Sequence, residues 1–93
     1  MMTYDGLLSV LCDMHAIPIL LFVGERGQCI KSDIYREVGR QANMPKKLEI
    51  LADSGLIDME PKGDGRTTTV LLTDKGGRVV KLLRDIETVL SLQ

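Results

Sequence analysis

Apolar residues recur at intervals of three and four positions over the first quarter of the chain, a spacing that is typical of helices. Pro18 interrupts this pattern, and proline lacks the amide hydrogen that a helix interior requires. We therefore predict a helix over residues 1–15 and a second helix that starts near Ala16, holds Pro18 in its first turn and is ended by Gly24 and Gly27. The apolar positions are Leu7, Val10, Leu11, Met14, Ile17, Leu20, Leu21 and Val23.

The pattern continues with a helix, a tight turn and another helix. A short extended stretch at residues 28–31 leads to Ser32, which can cap the first of these helices, and Gly39 suits the left-handed conformation after its end. Asn43 can cap the following helix, which stops at Gly55. Two helices joined by so short a turn must cross at a steep angle.

A β-hairpin is predicted after Gly55, because the apolar and polar residues there alternate with a period of two. Residues 56–60 alternate, residues 62–66 are a cluster of glycines and charged residues, and residues 67–72 are rich in β-branched side chains. The hairpin therefore has a charged tip.

A long final helix follows, with Thr73 as its N-cap. Gly76 and Gly77 lie in its first turns, where each costs about 1 kcal/mol relative to alanine. We expect their small size to be needed because the start of this helix packs closely against the hairpin. Its apolar positions are Val79, Leu82, Leu83, Ile86, Val89 and Leu90.

Those positions span about 120° of the helical wheel, more than the roughly 100° stripe that a helix needs to pack on one side of a core. A small domain can bury the surplus against a twofold-related copy of itself, so we predict a homodimer. Packing of the two terminal helices on each other within one chain is the alternative. The predicted dimer interface consists of Leu7, Leu8, Leu11, Leu82, Leu83, Ile86, Val89 and Leu90.

Composition narrows the class of protein. A chain of 93 residues with 44% hydrophobic and 27% charged residues predicts one globular domain over residues 1–93. Twelve basic and 13 acidic residues give a net charge of −1, which excludes a protein that coats nucleic acid through bulk positive charge. Any polyanion must therefore meet a local basic patch.

Nothing in the sequence predicts a membrane span, because the longest apolar run, residues 17–23, is far shorter than the roughly 20 residues that cross a bilayer. Cys12 and Cys29 show no CxxC spacing, and no cleavable apolar leader precedes them. We expect a cytoplasmic protein in which both cysteines are core thiols.

The stretch Leu48-x-x-Leu51-x-x-x-Gly55-Leu56-Ile57, a glycine-rich hairpin and then Leu72-Thr73-x-x-Gly76 resemble winged helix-turn-helix transcription regulators of the MarR, PadR and HxlR types. Ile17-Pro18-Ile19-Leu20 and Lys31-Ser32-Asp33-Ile34-Tyr35 resemble the first core helix and the start of the second core helix of HxlR-like proteins. Those proteins typically carry a tryptophan before the first segment, where this chain has His15-Ala16.

The resemblance covers about residues 16–80 and implies an α+β, mainly helical fold. A winged helix-turn-helix core, three helices with a β-hairpin wing, is expected over residues 16–73. The helices at residues 1–15 and 74–93 would flank it and serve dimerisation.

A DNA major groove about 12 Å wide admits one α-helix, whose N-terminal residues point at the base edges. The helix at about residues 43–54 is the candidate. When Leu48 faces the core, steps of 100° per residue place Asn43, Lys46 and Ile50 on the opposite side. Asn43 could pair with adenine, Lys46 could reach guanine or phosphate, and Ile50 could contact a thymine methyl group.

Further contacts to phosphate are predicted around this helix, from Lys47 within it and from Arg40 in the preceding turn. A wing at about residues 61–67 suits the DNA backbone or the minor groove. The complete predicted DNA-binding set is Ser32, Arg40, Asn43, Lys46, Lys47, Ile50, Lys62 and Arg66.

Two other classes of function compete with DNA binding, and each of these side chains could also be ordinary solvated surface. A winged helix that binds protein is favoured by the slightly acidic charge balance and by an exposed Ile50. An enzyme is the weakest alternative, because the single histidine, His15, lies in an apolar neighbourhood. We expect a dimeric regulator that binds a pseudo-palindromic double-stranded operator without catalysis, cofactor or metal.

Overall fold

The computed structural model describes residues 6–40, 43–63 and 67–92. Within these residues the helices are a 3₁₀ helix at Leu7–Leu11, α1 at Ala16–Arg26, α2 at Lys31–Glu37, α3 at Met44–Asp53 and α4 at Asp74–Leu90. The strands are β1 at Gln28–Ile30, β2 at Ile57–Pro61 and β3 at Thr68–Leu72.

The three strands form an antiparallel sheet in the order β1-β3-β2. β2 and β3 are the predicted hairpin, in a register that places Ile57 opposite Leu72. β1 pairs with the other edge of β3 and places Cys29 opposite Val70. Three helices, a small sheet and a hairpin in this order are a winged helix-turn-helix, so the predicted fold class is confirmed.

The core lies between α1, α2 and α3 and the inner side of the sheet. Met44 of α3 is fully buried, although the sequence analysis did not single it out. The buried hydrophobic residues are Ala16, Ile19, Leu20, Val23, Cys29, Ile34, Met44, Leu48, Leu51, Leu56, Ile57 and Val70. α4 covers this core from outside through Val79, Val80 and Leu83, which are only partly buried.

α1 begins at Ala16 and carries Pro18 in its first turn, as predicted. The prediction that Gly24 ends this helix is wrong, because the helix continues to Arg26 and ends at Gly27, which has φ of +82°. A Cβ atom at Gly24 would lie 3.1 Å from a methyl group of Val80. Gly24 therefore allows close packing of α1 against α4.

The prediction that Ser32 caps α2 is also wrong. Ile30 is the N-cap residue, because its pairing in β1 holds its backbone extended, and its N–H donates to Asp33 Oδ2 at 3.2 Å. Gly39 does not adopt the predicted left-handed conformation, whereas Gly55, after α3, does, with φ of +79°.

The start of α4 is tied closely to the turn before β2. The Thr73 hydroxyl accepts a hydrogen bond from Gly76 N–H at 2.9 Å, which confirms the predicted N-cap. A Cβ atom at Gly76 would collide with the Leu56 carbonyl oxygen, whereas one at Gly77 would meet nothing within 4 Å. Close packing therefore explains the first glycine and not the second.

The predicted helix over residues 1–15 is only partly within the described residues, and that part contains just the short 3₁₀ helix. Cys12 is exposed after it, so the prediction of a core thiol is wrong for Cys12, while Cys29 is buried. Among the described residues, no helix has the length and hydropathy of a membrane span.

Candidate nucleic-acid interface

α3 has one buried and one exposed side. Met44, Leu48 and Leu51 are buried in the core. Lys46 is exposed on the other side, and Ile50 retains 43% of its accessible surface. This division agrees with the 100° steps of the sequence analysis, so α3 offers a face that nothing within the described chain covers.

Asn43 precedes α3 at the N-cap position and is exposed. Its carbonyl accepts the N–H of Lys47 at 3.1 Å, but its side chain accepts no hydrogen bond from the first amides of the helix. The predicted side-chain cap is therefore not formed. The carboxamide group has no capping role in this structure and faces solvent at the exposed end of the helix.

Lys47 is held by a carboxylate far away in the sequence. Its Nζ atom donates to both carboxylate oxygens of Asp13 at 2.8 Å, and its side chain is only 11% exposed. Asp13 also accepts the backbone N–H of His15 at 2.8 Å. The hydrogen bond from Lys47 is the main cause that lowers the pKa of Asp13. This pair fastens α3 to the segment before α1.

His15 is buried beside this pair at the start of α1. Its Nδ1 atom lies 3.9 Å from Asp13 Oδ1 and has no hydrogen-bond partner among the described residues. The described part of the chain contains no group of three or more His, Cys, Asp and Glu side chains that could hold a metal ion. His15 is thus a packed residue of the helix start.

The remaining predicted DNA-binding residues belong to segments outside α3. Arg40 and Lys62 are exposed and form no ion pair with any described residue. Ser32 is exposed in the first turn of α2. Arg66 lies outside the described residues. In the chain, these two exposed cations come shortly before α3 and directly after β2.

The sequence analysis did not assign the acidic residues of α3 to its exposed side. Glu49 and Asp53 are both exposed, three and seven positions after Lys46. The signal was present in the same 100° steps, because residues three, four and seven apart share one side of a helix. The exposed side of α3 therefore combines a cation, an apolar side chain and carboxylates.

A second exposed surface, which we call the α4 apolar face, consists of Leu82, Ile86, Val89 and Leu90. These side chains line a shallow depression together with Asp85. Leu7 and Leu8 of the 3₁₀ helix are also exposed. Leu11 and Leu83 belong to the predicted dimer interface as well, but they are partly buried against the core of their own chain.

The backbone is similar to two solved transcriptional regulators along most of its length. A transcriptional regulator homologue protein from Pyrococcus horikoshii OT3 matches with a TM-score of 0.74 and 22% identity over 90% of each chain. An ArsR family transcriptional regulator matches with a TM-score of 0.61 and 22% identity over 100% of each chain. This likeness establishes the winged-helix fold.

No family model matches the sequence, and no curated protein does. Neither solved structure is described as a MarR, PadR or HxlR protein. The assignment to the MarR, PadR or HxlR type therefore stays a prediction.

Proposed function

We propose that this protein is a transcription regulator that binds double-stranded DNA sequence-specifically as a homodimer and carries out no catalysis. α3 would enter the major groove, and the hairpin wing at about residues 61–67 would contact the backbone or the minor groove. The two regulators of similar fold support this proposal.

The observation that carries the proposal is the state of Lys46. It lies in the first turn of α3, is exposed, and forms no ion pair with any described residue. Its charge is therefore available to a guanine edge or a phosphate, and Asn43 lies at the same end of the helix. Arg40, Lys62 and Ser32 would supply phosphate contacts, as would Arg66.

Lys47 takes a different part in this proposal from the phosphate contact that the sequence suggested. Because Asp13 neutralises its ammonium group, Lys47 has little charge to offer DNA. Its contribution is to hold α3 at a fixed position relative to α1. Preorganisation of this kind lowers the cost of ordering the protein on binding.

The α4 apolar face supports the homodimer. Leu82 is 62% exposed and Val89 63% exposed, although both have the hydrophobicity of core residues. Burying such a face against a twofold-related copy gains about 25 cal/mol for each Å² of apolar surface removed from water, which offsets the entropic cost of association. A twofold dimer would present its two α3 helices to successive major grooves about 34 Å apart, on a pseudo-palindromic operator.

The deciding experiment is binding of the purified protein to a pool of random duplex DNA, measured by fluorescence anisotropy at several salt concentrations and followed by sequencing of the retained fraction. We expect salt-dependent binding that enriches an inverted repeat with half-sites one helical turn apart. Absence of binding at low salt would contradict the proposal.

Lys46 and Lys47 provide a matched pair of variants for the same assay. Lys46→Ala should weaken binding and reduce the slope of log affinity against log salt by about one, because one cationic contact is lost. Lys47→Ala should leave that slope unchanged and act through the position of α3. Equal changes of slope in the two variants would show that the Asp13 pair opens on DNA.

A winged-helix module that binds protein is the second candidate. The exposed Ile50 and the carboxylates Glu49 and Asp53 on the same helix favour it, because an apolar side chain among charges suits a protein interface. Lys46→Ala separates the two candidates, since an interface with protein would lack the log-linear salt dependence of phosphate contacts.

A further inference from the structure

Glu49 lies on the exposed side of α3 between Lys46 and Ile50 in sequence. Steps of 100° place it about 60° to one side of Lys46 and place Ile50 about 40° to the other side. Along the helix axis the three residues span roughly 6 Å. Glu49 therefore borders the part of α3 that carries Lys46 and Ile50, within reach of a duplex that lies against the exposed side of the helix.

No described residue neutralises Glu49. It forms no ion pair or hydrogen bond with Lys46 or with any other described residue. Other charges of the chain do form pairs. Asp13 holds Lys47, and Asp33 holds Arg36 at 2.6 Å. The carboxylate of Glu49 is therefore open to a partner at the place where the DNA would lie.

The chemistry of the major groove limits what this carboxylate can accept. An ionised carboxylate only accepts hydrogen bonds, so phosphates and the acceptor edges of guanine and thymine are unfavourable. Adenine offers an N6 amino group, but its N7 acceptor lies beside that group. Cytosine offers an N4 amino group and has no acceptor of its own on the major-groove edge, and it is the base that Glu and Asp contact.

We propose that Glu49 is a specificity-determining residue that selects a cytosine in each half-site, next to the base pair that Lys46 contacts. This inference rests on the proposed function, since it requires α3 to lie in the major groove. The carboxylate lowers affinity for DNA in general through repulsion of phosphate and restores it where the cytosine amino group is present. Glu49 thus gives sequence preference at the expense of non-specific binding.

The test compares selection from a random duplex pool by the wild type, Glu49→Gln and Glu60→Gln. Glu60 is an exposed glutamate of β2, on a different element from α3, and its variant removes the same charge. Both variants should bind random DNA somewhat more tightly. Only Glu49→Gln should change the base preference, from cytosine towards adenine, because a glutamine carboxamide can pair with adenine N6 and N7.

Single duplexes with one base pair changed then give the magnitude. Replacing the selected cytosine should weaken binding by the wild type and by Glu60→Gln about five- to tenfold, and binding by Glu49→Gln less than twofold. Far-ultraviolet circular dichroism of each variant verifies that the helices are intact.

The outcomes separate this inference from the proposed function. If Glu49→Gln selects the same base as the wild type at every position of the motif, the role of Glu49 is overturned and DNA binding remains established. A wild type that retains no DNA would overturn both. If the wild type retains no DNA and a protein partner is found whose binding requires Glu49, the cytosine preference is also contradicted.

Discussion

Gly76 and Gly77 are adjacent residues of the same type in different surroundings. A methyl group at Gly76 would collide with the Leu56 carbonyl oxygen, a backbone atom that cannot move aside, whereas one at Gly77 would meet open space. We expect Gly76→Ala to lower the free energy of unfolding by at least about 2 kcal/mol, despite the gain in helix propensity. Gly77→Ala should raise it by up to about 1 kcal/mol.

Urea unfolding followed by circular dichroism measures both glycine variants. Because each substitution adds one methyl group to the same turn, propensity alone would shift both stabilities in the same direction. Stabilisation by both variants would show that the close approach of α4 to Leu56 is absent.

The ion pair between Asp13 and Lys47 predicts how the free energy of unfolding depends on pH. Its pKa lies below the ordinary value of 3.8 because Lys47 donates a hydrogen bond to it and, to a smaller extent, because the N–H of His15 does. A carboxyl group with a lowered pKa in the folded state stabilises the fold above the pKa of the unfolded state, and this contribution is lost as the pH falls through the lowered pKa.

The corresponding variant is Asp13→Asn, which removes the charge and can still accept the His15 N–H. Since the Asp13 side chain is 43% exposed, we expect a loss of only about 1 kcal/mol or less at pH 7. The difference from the wild type should shrink below about pH 4 and vanish at lower pH. In a Lys47→Met background Asp13→Asn should have little effect at any pH, and a persistent effect would assign the stabilisation to another partner.

At the scale of elements, helix starts show what local sequence determines and what it does not. Thr73 was predicted as a cap and is one, because the strand before it ends where the helix begins. Ser32 has the same chemistry but lies inside α2. Pairing of β1 with β3 fixes Ile30 as the last extended residue and makes Asp33 the acceptor. That pairing joins residues about forty positions apart, which a local pattern does not contain.

The same distinction applies to the candidate site. The exposure of Lys46 and Ile50 follows from helical periodicity once Leu48 is assigned to the core. The pair between Lys47 and Asp13 does not, because 34 positions separate the two residues. The sequence therefore identified the exposed side of α3 and overestimated the number of its free cations.

The two helix starts give a prediction with a built-in control. Thr73→Ala removes the acceptor for Gly76 N–H and a donor to the Gly55 carbonyl, so we expect a loss of about 1 to 2 kcal/mol in the free energy of unfolding. Ser32→Ala, at an exposed position, should change it by less than about 0.5 kcal/mol. Thermal or urea unfolding distinguishes the two. Equal losses would mean that Ser32 caps α2 in solution.

At the scale of the whole molecule, apolar side chains are exposed to solvent along the last helix. α4 rests on the core through Val79, Val80 and Leu83, whereas the α4 apolar face continues past them into solvent. The molecule measures 48 × 30 × 23 Å, so it is elongated rather than round. In the proposed homodimer, this apolar face near the end of the last helix would form the contact between the protomers.

The assembly is tested by Leu82→Glu, which places a charge in the α4 apolar face. We expect sedimentation velocity to show a dimer for the wild type and a monomer for this variant, because an unpaired carboxylate is costly to bury. Thr88→Glu adds the same charge to an exposed position about 120° away on the same helix and should stay dimeric.

If the dimer holds both α3 helices on one operator, Leu82→Glu should also lose tenfold or more in affinity for a duplex with two half-sites, while its affinity for a single half-site stays unchanged. A monomeric wild type would contradict the homodimer and indicate that the apolar face binds a different partner. A Leu82→Glu variant that is still dimeric would show that the interface lies elsewhere. The 3₁₀ helix, with its exposed Leu7 and Leu8, would then be the next surface to alter.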